Sequence, residues 1–195
     1  LADVEIVSPS NKKSYADFTS GHGVKFRLVV WKALVAGEIL ARLRQERVPY
    51  EAVAGRTETV YRRELERLER SVEGGARDIV RALRASVEEF DAIPMLDLPR
   101  KPVVAVLGEI FMRDNPFCSG FLRDRLEALG AETVMAPIRE WLELSSVNYR
   151  KVSLWESRFL DTAKAQVQLL LQERIARRIQ APFLDAVDSE RIISI

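Results

Sequence analysis

The sequence predicts an α/β protein with a Rossmann-like parallel βαβ core, additional long helices and a helical hairpin. A short apolar run at residues 103–107 is followed by a polar segment, a helical pattern and a second β-rich run at 133–136. This order is typical of a βαβ unit, whose crossover should be right-handed. Helical spacing of apolar residues also extends over residues 26–47 and 152–179.

The first third of the chain predicts a short strand followed by a long helix. Residues 4–7 alternate and include β-branched side chains, which is typical of a strand. Residues 26–47 have apolar side chains at helical spacing, and the pattern stops before Pro49 because the residue preceding proline disfavours the helical conformation. Trp31 occupies one of the apolar positions, so we interpret it as a core residue.

Residues 57–92 predict an amphipathic helical arm. Thr57 is the expected N-cap of its first helix, Gly74 and Gly75 interrupt the pattern, and residues 77–91 form the expected second helix. Two interpretations are open. The arm is either a hairpin packed on the core with its charges in solvent, or a docking arm for a partner protein.

Residues 98–102 predict a stiff linker between an N-terminal part, 1–100, and a C-terminal part, 101–195; the alternative is one compact domain of a longer parent protein. Asn115 and Pro116 suit the N-cap and first position of the crossover helix, which should end at Gly130. We expect a joint at residues 148–150 and then one long helix over 152–179. Its predicted apolar face comprises Val152, Trp155, Phe159, Ala163, Val167, Leu170 and Leu171.

Composition excludes several classes of function. The formal net charge is +1, and we expect no nucleic-acid partner. No apolar stretch approaches the ~20 residues that span a bilayer, so we expect no membrane association. The chain has one cysteine, Cys118, and one histidine, His22. These counts favour a reducing, cytoplasmic environment and exclude a zinc or iron–sulfur site built from this chain's own sulfur and imidazole ligands.

His22 lies in a Ser-Gly-His-Gly segment and is interpreted as a solvated loop residue. Cys118 is interpreted as a small packed residue. Because the chain begins at Leu1, we expect it to be an internal piece of a longer polypeptide.

The candidate site follows the first predicted strand. Ligands of open α/β sheets bind beyond the carboxyl ends of the strands, so we expect Glu109, Arg113, Glu140 and Trp141 to converge there. Arg113 suits a carboxylate or phosphate ligand, and Glu109 suits acid–base chemistry if burial raises its pKa. The structural alternative is that Glu109 and Arg113 pair to hold the loop, with Asn115 as a cap.

A segment of this chain resembles the 2-hydroxyacyl-CoA dehydratase and benzoyl-CoA reductase superfamily. The similarity is carried by residues 101–117, 126–132 and 136–141, and weaker likeness extends over about 31–171. It is greatest to activase-associated members of unassigned function, whose pattern runs Gly-Glu-Ile-Tyr-Val-Arg-x-Asn-Pro-Phe-Ala-Asn. The matching positions are Gly108, Glu109, Arg113 and Asn115, whereas Phe111 replaces the tyrosine and Cys118-Ser119 replaces Ala-Asn.

The resemblance implies a domain of a protein that handles CoA thioesters with a [4Fe-4S] cluster and receives electrons from an ATP-dependent activase. Implied partners are the remainder of the parent chain, the activase and an acyl-CoA. The cluster-binding cysteines of such proteins are not in this segment, so we expect neither cluster binding nor turnover by this chain alone.

Two hypotheses about function follow. In the first, the chain is a substrate- or cluster-proximal domain, with Glu109 as the candidate catalytic residue and Arg113, Asn115 and Glu140 as substrate-binding residues. In the second, it is a non-catalytic scaffold that docks the activase or joins domains. A cleft lined by Glu109, Arg113 and Glu140 favours the first, and the same residues paired off on a closed surface favour the second.

Overall fold

The computed structural model describes residues 23–184, and within them the chain is mostly helical. The elements are α1 (Gly23–Arg47), α2 (Arg56–Glu73), α3 (Ile79–Asp91), β1 (Val103–Val106), α4 (Ile110–Asp114), α5 (Leu122–Ala128), β2 (Glu132–Met135), α6 (Ile138–Trp155) and α7 (Phe159–Gln180). The predicted strand at 4–7 and His22 lie outside the described residues. No helix of the described part is both long enough and apolar enough to cross a bilayer.

The prediction of a Rossmann-like α/β core is wrong. β1 and β2 do pair in parallel, with Val103 opposite Glu132 and Val106 opposite Met135, but they are the only strands of the sheet within residues 23–184. The main hydrophobic core instead lies between helices α1, α2, α3 and the end of α7. Two short strands offer too little surface to form a core by themselves, so helix packing determines the fold.

Helix α1 is the centre of this core, and its predicted extent is confirmed apart from three additional residues at its start. Val35, Leu40 and Leu43 are fully buried. The α2–α3 hairpin packs against α1, and α7 also contacts it. The Trp31 indole N–H donates to the carbonyl oxygen of Gln172 in α7 at 2.9 Å, which confirms Trp31 as a core residue.

The hairpin packs on the core, as the first of the two interpretations states. Its inward residues Val60, Leu68, Leu83 and Phe90 belong to the main hydrophobic cluster. The predicted cap of its first helix is wrong, because α2 begins at Arg56 and Thr57 lies within its first turn. The side chain of Glu51 caps this end instead, accepting from the backbone N–H groups of Gly55 and Thr57 at 2.6 and 2.7 Å.

The connection between β1 and β2 differs from the prediction of one helix over 116–130. Residues 116–120 form turns, and α5 begins only after Phe121, whose φ is +59°. Asn115 therefore does not cap that helix. Its side-chain oxygen accepts from the backbone N–H of Cys118 at 3.1 Å and stabilises the turn.

The C-terminal region forms two helices, so the predicted single helix over 152–179 is wrong. Helix α6 runs through the predicted joint at 148–150, and the chain reverses at Ser157, which has φ of +57°. Helix α7 then returns along α6. The predicted apolar face is exposed: Trp155 is 94% and Phe159 is 70% solvent-accessible. Helix α7 buries a different set, comprising Ala165, Ala176 and Ile179.

Candidate functional site

A cleft of about 790 Å³ opens where β2 ends against α1. Its walls come from α1 and α2, from α4, α5 and the turn between them, from the end of β2 and from the start of α6. The last residues of α7 and the turn after it complete the rim. Apolar side chains form much of the wall, including Leu65, Phe121, Met135 and Phe183.

A buried ion-pair network holds the elements behind this cleft together. The guanidinium of Arg44 in α1 donates to both carboxylate oxygens of Glu127 in α5, at 3.0 and 3.2 Å, and to Glu58 in α2 at 2.7 Å. The Thr133 hydroxyl in β2 donates to the same Glu127 carboxylate at 2.9 Å. A two-pronged arginine–carboxylate contact is strongly directional, so this network fixes β2 and α5 relative to α1.

The charged end of the cleft is built from α1 and the first turn of α6. The backbone N–H of Arg139 donates to Glu38 Oε1 at 2.7 Å. Glu38 Oε2 lies 3.5 Å from Arg139 Nε, and Glu143 Oε1 lies 3.7 Å from the same nitrogen. Arg139 Nε is nevertheless buried without a hydrogen-bond partner among residues 23–184. The cleft wall thus contains a buried donor whose hydrogen-bonding capacity is unused.

Burial has a strong effect on the acidity of Glu38. Desolvation raises the pKa of this carboxyl from 4.5 to about 7, and the nearby charges of Glu140 and Glu143 add to the rise. The hydrogen bond and charge of Arg139 oppose it. Glu38 therefore exchanges its proton near neutral pH, as an acid–base group in a cleft does.

Glu140 and Arg113, two of the residues selected from the sequence, both line the cleft. Burial raises the pKa of Glu140. The positive charges of Arg139 and Arg113 oppose that rise, so Arg113 and Glu140 interact electrostatically. The Arg113 side chain is only 8% exposed and lies 3.0 Å from Asp114 Oδ2. Its Nη1 is 3.5 Å from the carbonyl oxygen of Gly108.

Glu109 and Trp141 do not line the cleft, so their expected convergence with Arg113 and Glu140 is not found there. Asn115, predicted as a substrate-binding residue, does not line the cleft either. Glu109 is exposed and caps α4, where its carboxylate accepts from the backbone N–H of Met112 at 2.8 Å. Asn115 holds the turn that follows α4, and Trp141 is partly exposed on α6. Glu109 therefore has a structural contact, but it is a helix cap and not the expected pair with Arg113, whose carboxylate partner is Asp114.

The sequence interpretation missed Glu38 and Arg139. The signal for Glu38 was its position, because it is the single acidic residue in the mostly apolar part of α1 between residues 28 and 41. A lone carboxylate on a nearly all-apolar stretch must be paired, neutralised or placed at a cavity. Arg139 adjoins the selected Glu140, but no sequence pattern links it to a residue in α1.

The residues present do not fit a [4Fe-4S] cluster as its complete ligand set. Such clusters are held mainly by cysteine thiolates, typically four, and the whole chain contains Cys118 alone. Within residues 23–184 no three side chains of the histidine, cysteine, aspartate and glutamate types are arranged to hold a metal ion.

The fold and cleft together define a mostly helical protein with a small-molecule-sized cleft that combines apolar walls, arginines and carboxyls, of which Glu38 is largely buried. Comparison of this chain with protein-family models, curated proteins and solved structures finds no match.

Proposed function

We propose that this chain is a domain of a 2-hydroxyacyl-CoA dehydratase-like iron–sulfur protein, where it binds an acyl-CoA thioester and is not catalytic alone. One observation carries the proposal. Arg113, from the first of the three segments that resemble that superfamily, lines the same cleft as Glu140, from the third. Two separate segments that both resemble the superfamily thus contribute side chains to one cleft.

The chemistry of the cleft suits this ligand class. Its volume of about 790 Å³ lies within the ~300–1,000 Å³ typical of small-molecule sites. The apolar wall around Leu65, Phe121 and Phe183 suits an acyl group. Arg113 suits a phosphate of CoA, because a guanidinium donates two parallel hydrogen bonds to phosphate oxygens.

A second candidate is a scaffold that docks an ATP-dependent activase. It is favoured by the apolar side chains exposed around the α6–α7 turn, since Leu160 is 80% accessible and Trp155 and Phe159 are also exposed. Exposed apolar patches commonly mark interaction sites. This candidate predicts that the cleft binds no acyl-CoA and that substitutions at the α6–α7 turn abolish activase binding.

Calorimetric titration of the chain with butyryl-CoA tests the first proposal. Arg113→Ala should weaken binding at least tenfold while changing the melting temperature little. Arg84→Ala is the matched control, because Arg84 is an exposed arginine of α3 outside the cleft. Unchanged butyryl-CoA affinity in Arg113→Ala, together with a large loss of melting temperature, contradicts the proposed role of Arg113.

A further inference from the structure

We propose that Glu38 and Arg139 form a two-donor site for the thioester carbonyl oxygen of the bound acyl-CoA. In this arrangement the protonated Glu38 carboxyl donates from Oε2, and Arg139 donates from Nε. The inference rests on the proposed function, because it takes the cleft as an acyl-CoA site. It assigns a role to two residues that the resemblance does not single out.

The geometry leaves Arg139 Nε without a hydrogen-bond partner among residues 23–184 and close to Glu38 Oε2. Glu38 Oε1 is occupied by the backbone N–H of Arg139 at 2.7 Å, which orients the carboxyl. Glu38 Oε2 and Arg139 Nε are 3.5 Å apart and form no hydrogen bond with each other. Both residues line the cleft. A ligand oxygen beside both atoms would satisfy the buried Arg139 Nε–H, which otherwise carries the cost of an unpaired donor.

The protonation state of Glu38 selects the chemistry of the ligand atom. When Glu38 is neutral, the site presents two donors and needs an acceptor such as a carbonyl oxygen. When Glu38 is ionised, its carboxylate attracts Arg139 and repels an incoming acceptor oxygen. Because burial raises the pKa of Glu38 to about 7, the two forms interconvert near neutral pH. A carbonyl acceptor should therefore bind when Glu38 is protonated and bind more weakly when Glu38 is ionised.

Other charged groups surround this site and modulate the proton linkage. Arg139, Glu140 and Glu143 of α6 act directly on Glu38. The remaining titratable or charged side chains that line the cleft are Arg42 of α1, Tyr61 of α2, Arg113 and Asp114 of α4, and Arg123 and Asp124 of α5. Arg42 pairs with Glu46 at 2.7 Å, and Arg113 pairs with Asp114 at 3.0 Å. Burial raises the pKa of two cleft carboxyls, Glu38 and Glu140.

The test is a calorimetric titration of the chain with butyryl-CoA between pH 5.5 and 8.5. The wild-type affinity should fall above about pH 7, approaching a tenfold loss per pH unit, because each bound ligand requires one retained proton. Glu38→Gln should bind butyryl-CoA without this fall, since its amide N–H₂ donates at every pH. Glu143→Gln is the control, and it should retain the fall but at a lower pH, because one negative charge near Glu38 is removed.

A thioether analogue, S-butyl-CoA, separates the carbonyl from the rest of the ligand. It lacks the carbonyl oxygen, so it should bind more weakly than butyryl-CoA. Its affinity for the wild-type chain should also not fall above about pH 7. Wild-type affinity for butyryl-CoA that does not fall above pH 7 overturns the inference and leaves the proposed function standing. No binding of butyryl-CoA at any pH overturns the proposed function, and the inference with it.

Discussion

The backbone N–H of Arg139 donates to the carboxylate of Glu38 at 2.7 Å, across 101 residues of sequence. This bond fastens the first turn of α6 to the middle of α1 at the charged end of the cleft. It also orients a carboxyl whose pKa burial raises to about 7. The local stability of this region and the chemistry of the cleft therefore depend on the same pair of residues.

Glu38→Gln should stabilise the protein at high pH and have little effect at low pH. The folded state raises the pKa of Glu38 above its unfolded value, so it holds the proton more tightly than the unfolded chain does. Ionisation of the unfolded chain therefore reduces stability as pH rises from about 4.5 to about 7, and the loss is constant above that range. The full loss is about 3 kcal/mol, since each pKa unit corresponds to about 1.4 kcal/mol.

Urea unfolding of wild type and Glu38→Gln at pH 5 and pH 8 measures this difference. The amide oxygen of the substituted side chain can still accept the Arg139 N–H bond, so the substitution removes the ionisable group while keeping the contact. Equal stability differences at the two pH values would show that Glu38 does not retain its proton in the folded state.

Arg44→Ala should lower the free energy of unfolding by about 3–5 kcal/mol, because it leaves the nearly buried Glu127 carboxylate without its partner. Arg44→Lys should cost less, since it restores one positive charge but not the two-pronged contact. Arg62→Ala is the matched control: Arg62 pairs with the same Glu58 but its side chain is 76% exposed, so the expected cost is under about 1 kcal/mol. Similar losses for Arg44→Ala and Arg62→Ala in urea unfolding would refute the network's role.

Phe90→Ala and Trp155→Ala should have very different effects on stability, although both remove a large aromatic ring. Phe90 is fully buried between the helices, and its truncation should cost about 3–5 kcal/mol. Trp155 is 94% exposed, so its truncation should change the free energy of unfolding by less than about 0.5 kcal/mol. Thermal unfolding of the two variants checks the comparison, and a cost for Trp155→Ala near that of Phe90→Ala would mean that this ring is covered in the folded chain.

Glu109→Ala should reduce stability slightly and leave butyryl-CoA affinity unchanged. Glu109 caps the short helix α4 through its contact with the Met112 N–H, and loss of such a cap typically costs about 1 kcal/mol. Chemical unfolding gives the stability change, and calorimetry gives the affinity. A several-fold loss of affinity without a stability change would support Glu109 as the candidate catalytic residue that the sequence predicted.

Local signals in the sequence account for the parts of the fold that were predicted. Pro49 and the Gly74-Gly75 pair end helices by backbone chemistry alone, so α1 and the α2–α3 hairpin follow from the sequence pattern. The α6–α7 hairpin does not, because Ser157 turns the chain with a positive φ that serine rarely adopts. Apolar spacing runs through that turn, and a periodic pattern by itself cannot distinguish one helix from two.

Local patterns were enough to predict the helical spacing of α1, the parallel pairing of the two strands, and the presence of Arg113 and Glu140 near the strand ends. Each of these depends on neighbouring residues or on a short crossover. Long-range packing was needed to establish that helices rather than a sheet form the core, that Glu109 is a cap, and that Glu38 faces Arg139. Those outcomes depend on which distant surfaces pack together, because burial, and with it the pKa of Glu38, is a property of the packed elements and not of any one segment.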